Sequence, residues 1–252
     1  MHLVYGFVFF QNEVQAAHWC HDQVTVHPSV TYYPCQNACG KVMTESLVFI
    51  SSDLKHDFHA VHHFTGKALS HLRDVRGLVI DRVLQWTDGC ASQYKSKGPF
   101  ADIAHAPSQH QAAMERSFFG SRHGKGPSDG ESAVVKGKAS KAIKADSAVI
   151  STAKEMYEYC QSALTLKPEE DVCPENHFLR TFFWVGEDDI IRERGERNVK
   201  TLPGTRKFHC VRSNSDGGIQ ARHLTCYCDA CITGTGQCSS QEAGDWTTFY
   251  FG

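Results

Sequence analysis

The sequence predicts an α/β protein in which a mixed sheet is flanked by helices, and three observations predict it. Runs of strand length rich in apolar, β-branched and aromatic residues fill the first fifty positions: MHLVYGFVFF, QVTVHPSVTYY and SLVFI. From Asp57 to Arg73 the apolar residues change to three- and four-residue spacing. Strand-like and helix-like segments then alternate. Strands first, followed by strand–helix alternation, give a layered mixed sheet rather than a sandwich or a helix bundle.

Taken in order, Leu3–Phe10 reads as a buried strand, and Gln23–Tyr33 as a second with Pro28 marking a bend or an edge. Ser46–Ile50 is the third. Asp57–Arg73 is a helix whose apolar face carries Ala60, Val61, Phe64, Ala68, Leu69 and Leu72. Arg82–Thr87 is a strand stopped by Asp88-Gly89, Pro99–Ala106 a short helix and Met114–Gly120 a strand. Ser128–Lys144 is a helix opened by Ser128 with Glu131 three residues later, the reciprocal capping pattern. Ala148–Leu164 is a further helix. The division expected is a core over 1–166 and a charged, irregular region over 167–252, with one strong strand at Phe178–Val185 and a Cys-rich tail.

The composition of the 252 residues, 41% hydrophobic and 21% charged, is that of an ordinary globular chain and excludes extended disorder. A formal net charge of −2 excludes a general polyanion binder. Positive charge is nevertheless concentrated in Gly120–Ala145 and Arg192–Arg222, on either side of an acidic stretch from Glu169 to Asp189. Such segments suit phosphate binding and serve equally as solvated surface. No apolar run approaches the ~20 residues that cross a bilayer. Eleven cysteines in a chain of this size, with no Asn-x-Ser/Thr sequon, point to an intracellular protein with reduced thiols.

Four cysteines make the clearest ligand set. Cys226, Cys228, Cys231 and Cys238 fall within thirteen positions beside Gly234 and Gly236, and either hold a tetrahedral structural Zn²⁺, which four thiolates suit, or are reduced free thiols. Cys35 and Cys39, with His18, Cys20 and His21 nearby in sequence, form a weaker second set. Cys20, Cys90, Cys160, Cys173 and Cys210 read as packing residues. Asp53, His56, Asp57, His59, His62 and His63 cluster where the third strand meets the first helix. There His59 and His63, four apart, share a helix face that could bind a metal, or are surface histidines.

Two segments carry a resemblance: QWTDGCASQYKSK at Gln85–Lys97 and RSFFGSRHGKGPSDGESAVVK at Arg116–Lys136. With QNEVQAAHWCHDQVTVHPSVTYYPC, ISSDLKHDFHAVHHF and the Cys-rich tail, they make the chain resemble a family of transposon-derived animal proteins with a DDE-type, ribonuclease H-like nuclease core. The resemblance implies an antiparallel meander of three strands, a carboxylate on the first strand, a second after the fourth strand at Asp88, and a third at Asp129, which fits the HGKGPSDG pattern, with Glu131 as the competing acid. The implied first acid has no counterpart in MHLVYGFVFF, which lacks Asp and Glu, so the core is expected to be N-terminally incomplete or degenerate. Asp57 is the candidate that could compensate. Two-metal phosphoryl transfer would need these acids to hold Mg²⁺. Asp-Gly after a strand is also an ordinary turn, and an acid in a first helical turn is favoured by the helix dipole alone. The loop His123–Gly126 with Lys125, and the helix residues Lys136, Lys138, Lys141 and Lys144, are the candidate nucleic-acid contacts.

The expectation is therefore a transposase-derived, nuclear, DNA-binding protein with little or no catalysis. The alternatives are an active Mg²⁺-dependent nuclease or strand transferase, and a non-enzymatic module whose zinc-bound tail takes a protein partner. The oligomeric state is not legible in the sequence.

Overall fold

The structure, a computed structural model, describes residues 5–8, 23–37, 39–120, 126–168, 173, 175–194, 201–233, 235 and 237–251. It divides into two compact units, each assembled from two stretches of chain: 1–56 with 125–190, and 57–124 with 191–252. The expected boundary near 166 instead falls within the second stretch of the first unit. The fold is mixed α/β, as expected, but the described strands form two sheets rather than one.

In the first unit β1 (Tyr5–Val8), β2 (Gln23–Pro34) and β3 (Val42–Ser51) form an antiparallel meander. β6 (Phe178–Val185) then joins β3 in parallel, giving the order β1-β2-β3-β6. β2 and β3 are buried along most of their length, with polar Thr25, His27, Ser29, Glu45 and Ser46 buried among the apolar residues. Pro28 pairs with Val48 of β3 and lies beyond Gln23–Val26, the part of β2 paired with the described residues of β1. Helices α3 (Pro127–Lys144) and α4 (Ala153–Ala163) supply Val135, Ala139, Met156 and Cys160 to a core shared with Val24, Val26, Val48, Ile50 and Phe182. Glu45 of β3 is fully buried, and its carboxyl oxygens accept from Tyr33 Oη on β2 (2.6 Å) and Thr181 Oγ1 on β6 (2.8 Å).

Two helix starts differ from expectation. α3 begins at Pro127, not Ser128: proline suits the first helical position because its missing N–H would be unsatisfied there anyway. Asp129 then accepts the Gly126 N–H at 2.8 Å, the part assigned to Glu131. Glu131 instead forms a two-pronged ion pair with Arg180 of β6, at 2.7 and 3.2 Å. α4 starts at Ala153 because Thr152 and Glu155 cap each other reciprocally.

In the second unit α1 (Phe58–Ser70) runs into a π-helical turn at His71–Val75, and β4 (Arg82–Thr87) follows. α2 (Lys97–His110) and β5 (Ala113–Phe118) come next, with β5 parallel to β4. The region read as irregular also contains β7 (Cys210–Ser213), β8 (Ile219–Arg222) and β9 (Thr247–Phe249), added antiparallel in the order β4-β5-β7-β8-β9. These strands are three or four residues long, too short to show a period of two. Their core includes Val61, Tyr94, Phe100, Ile103, Phe118, Val211 and Ile219. α2 can approach α1 because residue 98 is glycine: a Cβ there would lie 2.6 Å from the Phe58 ring. Arg116 is buried in β5, donating to Gln85 Oε1 (3.0 Å) and the Tyr94 carbonyl (3.4 Å), and burial pulls it down to about 10.

His27 of β2 is fully buried, edge-on to Phe49 at 6.2 Å, and burial pulls its imidazole from 6.5 down to about 3. Between those values the unfolded chain takes up a proton that the folded chain refuses. Stability therefore falls as the pH is lowered through that window, by up to about 1.4 kcal/mol per pH unit. Urea unfolding at pH 7 and pH 5 should show a loss about 2 kcal/mol larger in the wild type than in His27→Phe. Equal losses would remove His27 from the acid response.

Candidate functional site

β4 ends at Thr87, and Asp88 follows at the carboxyl end of two parallel strands, the position where open α/β sheets bind ligands. Asp88 Oδ1 accepts the Cys90 N–H at 2.9 Å, an Asx turn that fixes the carboxylate in place. Beside it lies a cavity of about 790 Å³ lined by Asp88, Lys95, Lys97, Phe119, Arg206 and His209, among others. The lining carries three cationic side chains against one carboxylate. The first turn of α2, positive end of its dipole, contributes Lys97 after the N-cap Ser96. Lys95 is half-buried, 5.0 Å from the Phe118 ring centroid, with its ammonium donating to the Arg206 carbonyl at 3.2 Å. Burial lowers the Lys95 ammonium, and burial with the nearby Lys95 charge lowers His209, which favours the neutral imidazole. Lys95, Lys97 and His209 were not singled out in the sequence, although both lysines sit inside the QYKSK end of the motif that carried Asp88.

The other expected acids have protein partners. Asp57 caps α1, with Oδ1 accepting the Ala60 N–H (3.0 Å) and Oδ2 the Arg192 Nε–H (2.7 Å). Burial alone would raise the Asp57 carboxyl, but Ala60 and Arg192 hold it below its ordinary value. Asp129 caps α3 and belongs to the other unit from Asp88. His59 Nδ1 accepts from Arg194 Nε at 2.9 Å. Among the described residues, the groups able to hold a metal do not include the Asp53–His63 cluster.

The basic segments are sorted by the fold. Arg192 pairs with Asp57, and Arg194 grips Asp102 through both nitrogens at 2.8 and 3.0 Å. Arg212 and Arg222 lie against the Trp246 ring at 4.0 and 4.2 Å. These four guanidiniums are engaged by protein groups, Arg222 buried and the other three half-buried. On α3, Lys138, Lys141 and Lys144 are exposed at three-residue spacing, while Lys136 is half-buried and lowered by burial. Lys125 and the preceding loop residues lie outside the described residues.

Among the described residues, two groups of Cys and His side chains could hold a metal ion. In the tail, the sulfurs of Cys226, Cys228, Cys231 and Cys238 all lie within 4.8 Å of one another. Tetrahedral Zn–S bonds of about 2.3 Å would set the sulfurs about 3.8 Å apart, so a small contraction suffices. Backbone N–H groups of Ser239 and Cys231 pull the Cys228 thiol down to about 6, while burial pushes Cys231 up to about 11. The cluster is docked on the second sheet. Arg82 of β4 donates to the carbonyls of Cys231 (2.8 Å) and Ile232, and Arg222 of β8 points a nitrogen at the sulfurs of Cys231 (3.4 Å) and Cys238 (3.7 Å). In the other group Cys35 and Cys39 meet Cys173 and His177. Cys173, read from the sequence as a packing residue, is half-buried with its sulfur 3.8 Å from that of Cys35. Of the other presumed packing cysteines, Cys160 and Cys210 are buried and Cys90 is exposed. His18, Cys20 and His21 lie outside the described residues.

These features define a mixed α/β protein with two thiol-rich, metal-capable groups and a cationic cavity at a sheet end. The chain belongs to the family described as Domain of unknown function (DUF8701), which matches residues 5–225. No curated protein and no solved structure matches it.

Arg222 is 2% exposed and faces thiols that become anionic on metal binding. Arg222→Met should weaken zinc retention by the tail about tenfold or more in competition with a chromophoric chelator, as loss of an outer-shell partner does. Unchanged retention would show that the guanidinium only packs against Trp246.

Proposed function

We propose that this protein binds nucleic acid through phosphodiester contacts in the cavity beside Asp88, on a degenerate ribonuclease H-like core that does little or no strand cleavage. The observation that carries the reading is the cavity itself, which Lys95, Lys97 and Arg206 line together with a strand-end carboxylate. Lysine and arginine side chains with the positive end of α2 give a phosphate chain both charge and hydrogen-bond donors. Exposed Lys138, Lys141 and Lys144 offer a second cationic row on α3.

Two strand relations agree with the ribonuclease H-like reading, the antiparallel β1-β2-β3 meander in one sheet and the parallel β4-β5 pair in the other, while their division between two sheets departs from the single mixed sheet of that reading. The resemblance of QWTDGCASQYKSK and HGKGPSDG to transposon-derived nucleases adds DNA as the substrate class and the nucleus as the location. The Mg²⁺ set fits poorly. Both Asp57 oxygens have protein partners, Asp88 and Asp129 each commit an oxygen to a backbone N–H, and Lys95 and Lys97 line the Asp88 cavity. A loss of cleavage with binding kept follows from that chemistry. In the tail, four thiolates without an open coordination position suit a structural Zn²⁺ that fastens the last strands.

Fluorescence anisotropy on a labelled DNA duplex tests this, alongside a nicking assay with Mg²⁺ or Mn²⁺. Affinity should fall steeply with salt, and Lys95→Ala/Lys97→Ala should reduce the magnitude of the log–log salt slope by roughly two. Asp88→Asn should keep its affinity within about threefold, since the cations provide the binding. Absence of salt-sensitive binding would sink the proposal. Metal-dependent nicking by the wild type that disappears in Asp88→Asn would replace it with an active nuclease.

A further inference from the structure

We infer that Cys35, Cys39, Cys173 and His177 form a second zinc site, one that fastens the β2–β3 turn to the start of β6. The reading is independent of nucleic-acid binding and of the tail cysteines. The four donor atoms all lie within 4.8 Å of one another, although Cys35 and Cys173, like Cys39 and His177, are 138 positions apart. Cys35 Sγ and Cys173 Sγ are 3.8 Å apart, the edge expected of a zinc–thiolate tetrahedron at about 2.3 Å per bond. Cys39 Sγ and His177 Nε2 are 3.2 Å apart and need to open by only a few tenths of an ångström to admit an ion.

The surrounding backbone is arranged for this meeting. Cys35 directly follows β2, and its N–H donates to the Lys41 carbonyl at 2.9 Å, closing the turn that carries Cys39. Asn37 Nδ2 points at Cys173 Sγ at 3.7 Å, as outer-sphere donors do at metal-bound thiolates. On the other side Asn176 and His177 adopt φ of 57° and 50°. Two successive non-glycine residues in the left-handed region are costly and persist where something holds them. They stand immediately before β6 and bring His177 to Cys39. Three thiolates and one imidazole are a borderline-soft, four-coordinate set, which selects Zn²⁺ over hard cations and closes the site against substrate.

Metal analysis of the full chain, purified without chelator, provides the test. Wild type should carry two zinc ions per chain, Cys39→Ser one, Cys228→Ser one and the double variant none. In cobalt-substituted protein, His177→Cys should keep both ions and move part of the visible d–d absorption from a three-sulfur to a four-sulfur pattern. That readout survives if Cys39→Ser fails to fold. On metal removal, amide exchange in Phe178–Val185 should accelerate at least tenfold in wild type and in Cys228→Ser. A wild type with one ion, lost in Cys228→Ser and kept in Cys39→Ser, would overturn the inference. So would a Cys35–Cys173 disulfide found by mass spectrometry, or a cobalt spectrum unchanged by His177→Cys.

Discussion

Glu45 lies at the centre of the first sheet with no exposure, and its carboxyl group accepts from the strand on either side, Tyr33 on β2 and Thr181 on β6. β3 is buried on both faces over most of its length, so it lacks the inward–outward alternation that would otherwise set its register. A polar group in the same place is expensive unless its partners arrive in register, because an unmatched buried carboxyl costs several kcal/mol. A slip of one residue would turn Glu45 to the other face of the sheet. The rest of the first unit follows from that alignment. With Thr181 in place, β6 runs parallel to β3, Arg180 reaches Glu131 on α3, and Cys173 and His177 are delivered to the β2–β3 turn.

The second unit solves a different problem. Its sheet begins with a parallel pair and is extended by strands of three or four residues, too small to bury much surface alone. Arginine supplies what the strands lack. Arg82 reaches into the cysteine tail, Arg222 lies between that tail and Trp246, Arg116 joins β4 and β5, and Arg194 holds Asp102 of α2. A planar guanidinium with several donors suits such bridges better than lysine. The division of labour is then clear: these arginines join one protein element to another, while Lys97 and the α3 row of Lys138, Lys141 and Lys144 face solvent.

Much of this was legible in the residues. β4 at RVLQWT and β6 at FLRTFFWV stand where their β-branched and aromatic runs placed them, and the first helix follows its apolar spacing. The four tail cysteines are close together in sequence and in space, so local spacing was enough to find them. The Cys35 group was only half visible, because Cys173 and His177 reach it through the β3–β6 pairing and nothing near Cys35 announces them. The same limit hid the roles of the basic segments: Arg192 and Arg194 look like surface charge until Asp57 and Asp102 are seen beside them. The α3 start moved to Pro127 because a proline in the first turn competes with a serine cap, and α4's start was readable in Thr152-x-x-Glu155.

Each unit is made of two stretches separated in the chain by the other unit's segment. A chain emerging from the ribosome folds from its N-terminus onward, at roughly 5–20 residues per second. The meander β1-β2-β3 therefore waits for β6, with the open side of β3 uncovered while more than 120 residues are synthesised. Unpaired strand edges of that kind are sticky. The nascent protein is thus most exposed to misassociation, and most in need of chaperone shelter, in the seconds before Phe178–Val185 leaves the exit tunnel.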